Sequence, residues 1–183
     1  SAPNLEIRRH DIIEDDLETD QFDLAHCRGV LMHLPKPEKA LRQMANALRP
    51  GGWLLIEEGD FGSILSSDIT NPAAADFTAM LRAVFDFLRK MGIMDAYFGR
   101  RVRSLVEQLQ FIDVGQEGTT DIRRMSDPGA SFGLTSLQVV QPLLDAGLLT
   151  QQQIESVERL RLDPDFYGPG PTMFAAWGRR PFG

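Results

Sequence analysis

Side chains able to do chemistry gather at three places in this chain. His10 and Asp11 stand side by side; His26-Cys27-Arg28-Gly29 has His33 just beyond it; Glu57, Glu58 and Asp60 form the third group. A metal centre is poorly supported. His10, Asp11, His26, Cys27 and His33 are of ligand type, yet no compact pair has the usual zinc spacing and no fourth ligand accompanies Cys27 and His33. A nucleophilic thiol, Cys27 activated by His26 or His33, is allowed on residue type. A single Cys at the end of a buried strand is more often a small core residue. A ligand crevice has better support, because ligands of open α/β sheets sit beyond the carboxyl ends of the strands. Asp11, the His26–Gly29 turn and the Glu57–Asp60 stretch each follow an apolar run, so they should converge on one edge of a sheet. The plainer reading, in which these acids cap helices or face water, stays open at this point.

The elements that must position these residues start with the stretch from Phe22 to Glu58. Phe22-Asp-Leu-Ala-His-Cys27 reads as a buried strand. Pro35 and Pro37 then break the chain, and Pro37 suits the first turn of a helix. In that helix Leu41, Met44, Ala45 and Leu48 recur at helical spacing. Pro50-Gly51-Gly52 ends it, and Trp53-Leu-Leu-Ile56 is a continuous apolar run, expected of a strand covered on both faces. Together these form one βαβ unit with parallel strands. Upstream, Leu5–Asp11 alternates apolar and polar residues and reads as a short strand with an acid at its end.

Downstream, Phe77, Met80, Leu81, Val84, Phe85, Leu88 and Met91 make one broad stripe on a helix over about Asp76–Met91, stopped by Gly92. A second helix covers about Arg100–Leu109 and leads into a strand at Phe111–Val114. Gly115–Gly133 is turn-rich, with one strand near Thr119–Arg123. Leu137, Val140, Leu143 and Leu144 mark a short helix capped by Gly147. Another begins at Thr150, where Gln153 three residues on fits a capping box. Pro164–Pro171 reads as loop, and Thr172–Trp177 as a final strand.

Bulk properties narrow the classes. A chain of 183 residues is one domain of ordinary size with a real core. Its 43% apolar and 25% charged residues are usual for a globular protein. A net charge of −7 argues against non-specific nucleic-acid binding; the arginine pairs at 100–101, 123–124 and 179–180 are read as solvated faces. The lone Cys27 excludes an internal disulfide and suits a reducing cytoplasm. No apolar run approaches the ~20 residues of a membrane span.

FDLAHCRGVLMHL followed by ALRQMANALRPGGWLLIEE resembles the later half of the class I S-adenosylmethionine-dependent methyltransferases. EIRRHDIIED is similar to that family's third strand with its terminal acid, FGRRVRSLVEQLQFIDVGQEG to its last crossover helix and sixth strand, and TMFAAWGRRP to its seventh strand. The resemblance implies an α/β, incomplete Rossmann-like sheet with strands in the order 4-5-7-6 plus strand 3, and at 62–98 and 134–163 helical insertions or a substrate cap, whose apolar stripes core packing alone would also explain. The whole of 1–183 is then a single partial methyltransferase domain. It implies S-adenosylmethionine as cofactor, with Asp11 accepting from the adenine amino group, Ile12 against the ring, and Cys27, Arg28 and Gly29 lining the methionine part. His33 lies where a polar residue often neighbours the substrate, or else is a hydrogen-bonder at the start of the helix. Glu57 and Glu58 lie beside the substrate mouth. His33 and Glu58 are the candidate general bases for methyl transfer to a small-molecule acceptor.

The chain departs from that family in what precedes Phe22. The first strand with its glycine-rich loop is absent, as are the following helix and the second strand, whose acid holds the ribose. Losing several charge-assisted hydrogen bonds worth ~1.5–3 kcal/mol each leads to the expectation of a truncated, weakly active or inactive fragment. Strand 3 would lie three strand spacings, roughly 14 Å, from strand 4. Strand 4 would be an apolar edge, which invites pairing: with a second copy, with Leu5–Arg9 folded back, or with a separate N-terminal piece. Two other readings remain, a different nucleotide-cofactor enzyme and a non-catalytic interaction module that keeps half of the fold.

Overall fold

The structure, a computed structural model, describes residues 3–64, 70–71, 73–127 and 132–182, without the side chains of 132–138 and 169. Among the described residues one sheet carries four strands, β1 (Phe22–Arg28), β2 (Leu48–Asp60), β3 (Ile112–Arg124) and β4 (Tyr167–Arg179). Their spatial order is β1-β2-β4-β3. β1 and β2 are parallel, and β4 runs antiparallel to both β2 and β3. This is the expected 4-5-7-6 arrangement.

The crossover from β1 to β2 is helix α1 (Pro37–Ala47), which has its proline at the start and buries Ala40, Leu41, Met44 and Ala45. Its C-terminal carbonyls take a cation from far along the chain. The Arg180 guanidinium donates to the carbonyls of Asn46 (3.2 Å) and Leu48 and to the Asp20 carboxylate (2.6 Å). A positive group suits the negative end of a helix. The same tail orders the glycine turn. Gly51 has φ +80°, and a Cβ there would lie 2.5 Å from the Phe182 ring.

Two hydrophobic cores follow. In the first, α1 and α3 (Val102–Gln108) pack on one face of the sheet through Leu41, Met44, Leu54, Ile56, Phe98, Val102 and Val106. The other face is less covered than Trp53–Ile56 suggests. Leu54 and Ile56 are wholly buried, whereas Trp53 is 38% exposed, because the helices of the first core lie on one side only. The second core joins α2 (Ala73–Lys90), α4 (Phe132–Asp145) and α5 (Gln151–Leu162), with Met125 and Phe166 from the ends of β3 and β4. α2 buries the predicted stripe from Phe77 to Leu88, while Met91 is exposed. In α4 Leu143 is fully buried; Leu137 falls outside the described side chains. Thr150 and Gln153 form the predicted capping box on α5.

Three expectations need correction. Leu5–Asp11 forms no strand. Leu5 is 60% and Ile7 86% exposed, and Arg8 binds Glu6 and Glu18 instead; the segment therefore neither joins the sheet as strand 3 nor folds back onto β1. The strand expected near Thr119–Arg123 is present but longer: Gly115–Gly118, read as turn, also belongs to β3, whose register is irregular between Ile112 and Gly115 and between Thr120 and Ile122. Pro164–Pro171 is not all loop, since β4 begins at Tyr167. The β1 edge is open as expected, with Phe22 43% and Leu24 55% exposed.

Candidate functional site

The carboxyl ends of the parallel pair β1 and β2 meet in a tight turn. After Arg28 the chain reverses at Gly29, φ +61°, whose N–H donates to the Glu57 carbonyl at 2.9 Å. A Cβ on Gly29 would meet nothing within 4 Å, so the backbone here faces open space. Val30 and Leu31 open a short 3₁₀ turn, Leu31–His33. The first N–H groups of such a turn lack internal partners. Here both are taken by one side chain. Glu58 Oε1 accepts from Val30 at 3.0 Å and from Leu31 at 2.7 Å. Glu58 is fully buried, and its Oε2 has no hydrogen-bond partner among the described residues. Burial pushes the Glu58 carboxyl above the ordinary range, against the pull of the Leu31, Val30 and Met32 N–H groups.

Cys27 is half-buried beneath this turn. Burial, then the charges of Glu58 and Glu57, push its thiol up to about 12. The nucleophile would have to be the thiolate, so Cys27 is a neutral, apolar contact here. Arg28 is exposed and has no ion pair among the described residues. His26 points elsewhere; its Nε2 lies 2.8 Å from Glu57 Oε2.

His33 is exposed, and its Nδ1 lies 3.3 Å from the Ile93 carbonyl oxygen. A carbonyl only accepts, so Nδ1 carries the hydrogen and a neutral ring presents its lone pair at Nε2. His33 lines a pocket of about 370 Å³ with Leu31, Met94 and Phe98. Arg89, Arg101, Asp95 and Glu38 also line it, and Asp95 fixes one wall, its N–H donating to the Met32 carbonyl at 2.7 Å. Arg101 reaches Asp95 at 3.2 Å and Glu38 at 3.6 Å.

Beyond Glu58, Asp60 is 5% exposed and receives the Arg100 guanidinium through Nε at 2.8 Å and Nη2 at 2.7 Å. Such a two-pronged geometry is strong and directional. Its Oδ1 also accepts from Gly62 N–H at 2.9 Å, and the Arg100 guanidinium sits over the Tyr97 ring at 5.3 Å. Sequence reasoning treated Arg100 as a solvated charge; nothing local marks a partner so distant in the chain.

Asp11 and Ile12 lie on a separate turn. Asp11 Oδ1 accepts from Ile13 at 2.8 Å and Glu14 at 3.1 Å. These N–H groups hold its carboxyl below the ordinary range, and Oδ2 has no hydrogen-bond partner among the described residues. The turn is tied to α1, where Gln43 Nε2 donates to the Asp15 carbonyl at 2.9 Å. Ile12 and Cys27 both pack against the first core. The structure thus brings Cys27, Arg28, Gly29, His33 and Glu58 around one turn and holds Asp11 and Ile12 beside α1.

A family model described as a methyltransferase domain matches residues 1–112. Methyltransferase str2 of Strobilurus tenacellus is 27% identical over 107 residues, 57% of this chain and 37% of its own length. Methyltransferase str3 of the same organism is 30% identical over 87 residues, 47% of this chain and 30% of its own length. The chain therefore spans about a third of the curated relatives it matches. The fold is similar to the YcgJ protein of Bacillus subtilis, with TM-score 0.53, 11% identity and coverage of 96% of this chain and 71% of that one. It is also similar to a SAM-dependent methyltransferase of Archaeoglobus fulgidus, with TM-score 0.52, 15% identity and coverage of 98% and 69%. With more than half of its length under the family model, this chain belongs to the methyltransferase-domain family.

Proposed function

We propose that the protein carrying this chain transfers a methyl group from S-adenosylmethionine to an O, N or C nucleophile of a small molecule. The observation that carries the reading is the open Gly29 turn at the carboxyl ends of two parallel strands, beside a pocket of about 370 Å³. That volume is within the ~300–1,000 Å³ common for small-molecule sites. Bound there, the cofactor supplies an electrophilic methyl on a sulfonium.

The residues present fit such a group. The Gly29 backbone leaves room for close approach, and the neutral Cys27 offers an apolar, polarizable surface. Asp11 has an oxygen left to accept from an exocyclic amine, with Ile12 beside it. Arg28 stands exposed at the turn, available to a carboxylate. On the acceptor side, His33 holds its Nε2 lone pair ready for the proton of an acceptor seated in the pocket. Most of the rate comes from holding the reactants at attack distance. The helices of the second core serve as the cap. A reducing cytoplasm suits the lone thiol, and the exposed β1 edge suits an added strand, from a second copy or another segment.

Calorimetric titration with S-adenosylhomocysteine tests the cofactor assignment. Asp11→Ala should raise the dissociation constant about tenfold, the equivalent of one charge-assisted hydrogen bond. An unchanged constant would remove Asp11 from the site, and no binding by the unmodified protein would remove the reading itself. The exposed apolar edge of β1, Phe22 and Leu24, favours one second reading, a non-catalytic interaction module. Absence of both cofactor binding and methyl transfer, with a stable complex through that edge, would support it.

A further inference from the structure

We propose that Glu58 is a positioning residue, which clamps the Gly29–Leu31 turn in one conformation so that the Cys27–Gly29 segment presents a preformed surface to the cofactor. That the turn touches a cofactor is taken from the methyl-donor reading above; what holds the turn is geometry within this chain.

Glu58 reaches across from β2, one residue past the last register pair, Arg28 with Glu57. A single oxygen, Oε1, takes the N–H groups of Val30 at 3.0 Å and Leu31 at 2.7 Å. Leu31 is 1% exposed, so water offers its N–H no alternative, and an unpaired buried N–H costs free energy. The clamp is itself braced from behind. A Cβ on Gly99 would lie 2.6 Å from the Glu58 carbonyl oxygen, so the Phe98–Arg101 segment presses directly on the β2 backbone at this residue. Glu58 therefore cannot recede from the turn without moving β2.

The same geometry makes Glu58 a poor proton acceptor for a substrate. It is 0% exposed, its Oε1 is occupied twice, and its Oε2 is buried without a partner among the described residues. Leu31, Met32 and His33 line the neighbouring pocket, and Glu58 does not. Transferring a proton into that position would bury it out of reach of solvent. A buried ion with one bare oxygen is costly, so burial raises the Glu58 carboxyl above its ordinary range, and Oε1 accepts from the two N–H groups in either form. Gln keeps that oxygen and that shape; Ala removes both.

The test uses the whole chain with Glu58→Gln and Glu58→Ala. Two readouts are taken: hydrogen exchange of the Val30 and Leu31 amides without ligand, and calorimetric titration with S-adenosylhomocysteine. Glu58→Gln should keep both within about threefold, while Glu58→Ala should speed both amides and weaken binding by about tenfold or more, the scale of one unsatisfied buried donor. The pH profile of methyl transfer should keep its midpoints in Glu58→Gln. A Gln variant that binds normally but loses transfer would overturn the proposal by making Glu58 a proton-handling group. An Ala variant that binds within twofold would overturn it by reducing the contact to local packing. Should the Ala variant not fold, the Gln variant still decides, because faster amide exchange in it contradicts the clamp. If the unmodified chain does not bind while its two amides respond to Glu58→Ala, the methyl-donor reading fails and the clamp stands.

Discussion

Gly99→Ala is the substitution for which the structure makes the sharpest demand. An added Cβ would stand 2.6 Å from the Glu58 oxygen, 2.7 Å from the Gly59 carbon and 2.9 Å from the Asp60 nitrogen. All three are backbone atoms of β2, so no side chain can swing aside. Moving from 2.6 Å to ordinary contact at 3.4 Å requires a shift of 0.8 Å. The Phe98–Arg101 segment would have to make it, and there Phe98 and Val102 are each only 1% exposed. Lifting them opens space in the first core and strains the Asp60–Arg100 fork. Overpacking commonly costs ~1–3 kcal/mol, and with backbone on the far side the upper end applies, about 3 kcal/mol. For a chain of this size that corresponds to a melting temperature lower by about 6–12 °C. Gly92→Ala is the control. Gly92 has φ +68° and nothing within 4 Å, so only the left-handed conformation is penalised, by ~1 kcal/mol. Guanidinium titrations followed by circular dichroism, with equal slopes, measure both variants. A Gly99→Ala variant within about 0.5 kcal/mol of the unmodified chain, inside the range of ordinary surface changes, or one more stable than Gly92→Ala, refutes the close approach.

Three further outcomes are expected. Thr150→Ala removes the capping box on α5 and should cost ~1 kcal/mol, read as a shift in denaturation midpoint; Thr150→Ser should recover most of it. The raised Glu58 carboxyl means that the folded chain holds this proton more tightly than the unfolded chain. Its contribution is full below about pH 4.5, the ordinary value, and is lost as pH rises through the elevated folded value. Glu58→Gln should lack that decline, and parallel stability-against-pH curves for the two proteins would contradict it. With its thiol pushed up to about 12, Cys27 should react with iodoacetamide at pH 8 on the order of a thousandfold more slowly in the folded chain than in urea. Equal rates would mean that the turn above it does not shield the sulfur.

Much of the architecture was legible because its signals are local. The Pro-Gly-Gly punctuation, the 3–4 spacing in α1 and α2, and the Thr150–Gln153 pair each act within one turn of chain, where backbone geometry dictates which side chains meet. The βαβ unit followed from these signals, and with it the placing of Cys27, Arg28 and Gly29 at a strand end. The alternation in Leu5–Asp11 was equally local yet misleading. Alternation makes a strand only where a neighbouring ladder exists, and the described sheet ends at β1 on that side.

Resemblance of its motifs pointed to the family, and residue patterning alone placed the parallel pair and its carboxyl-end turn. Tertiary structure decided what each polar group does there. Glu58, a candidate base by its place at a strand end, is the acceptor for Val30 and Leu31, 28 and 27 residues away. Arg100 found Asp60 across 40 residues, and Arg180 reached the end of α1 across more than 130. A hydrogen bond between distant segments leaves no periodicity in either. It depends on which segments packing brings together, and for Glu58 burial also removes water as the competing partner.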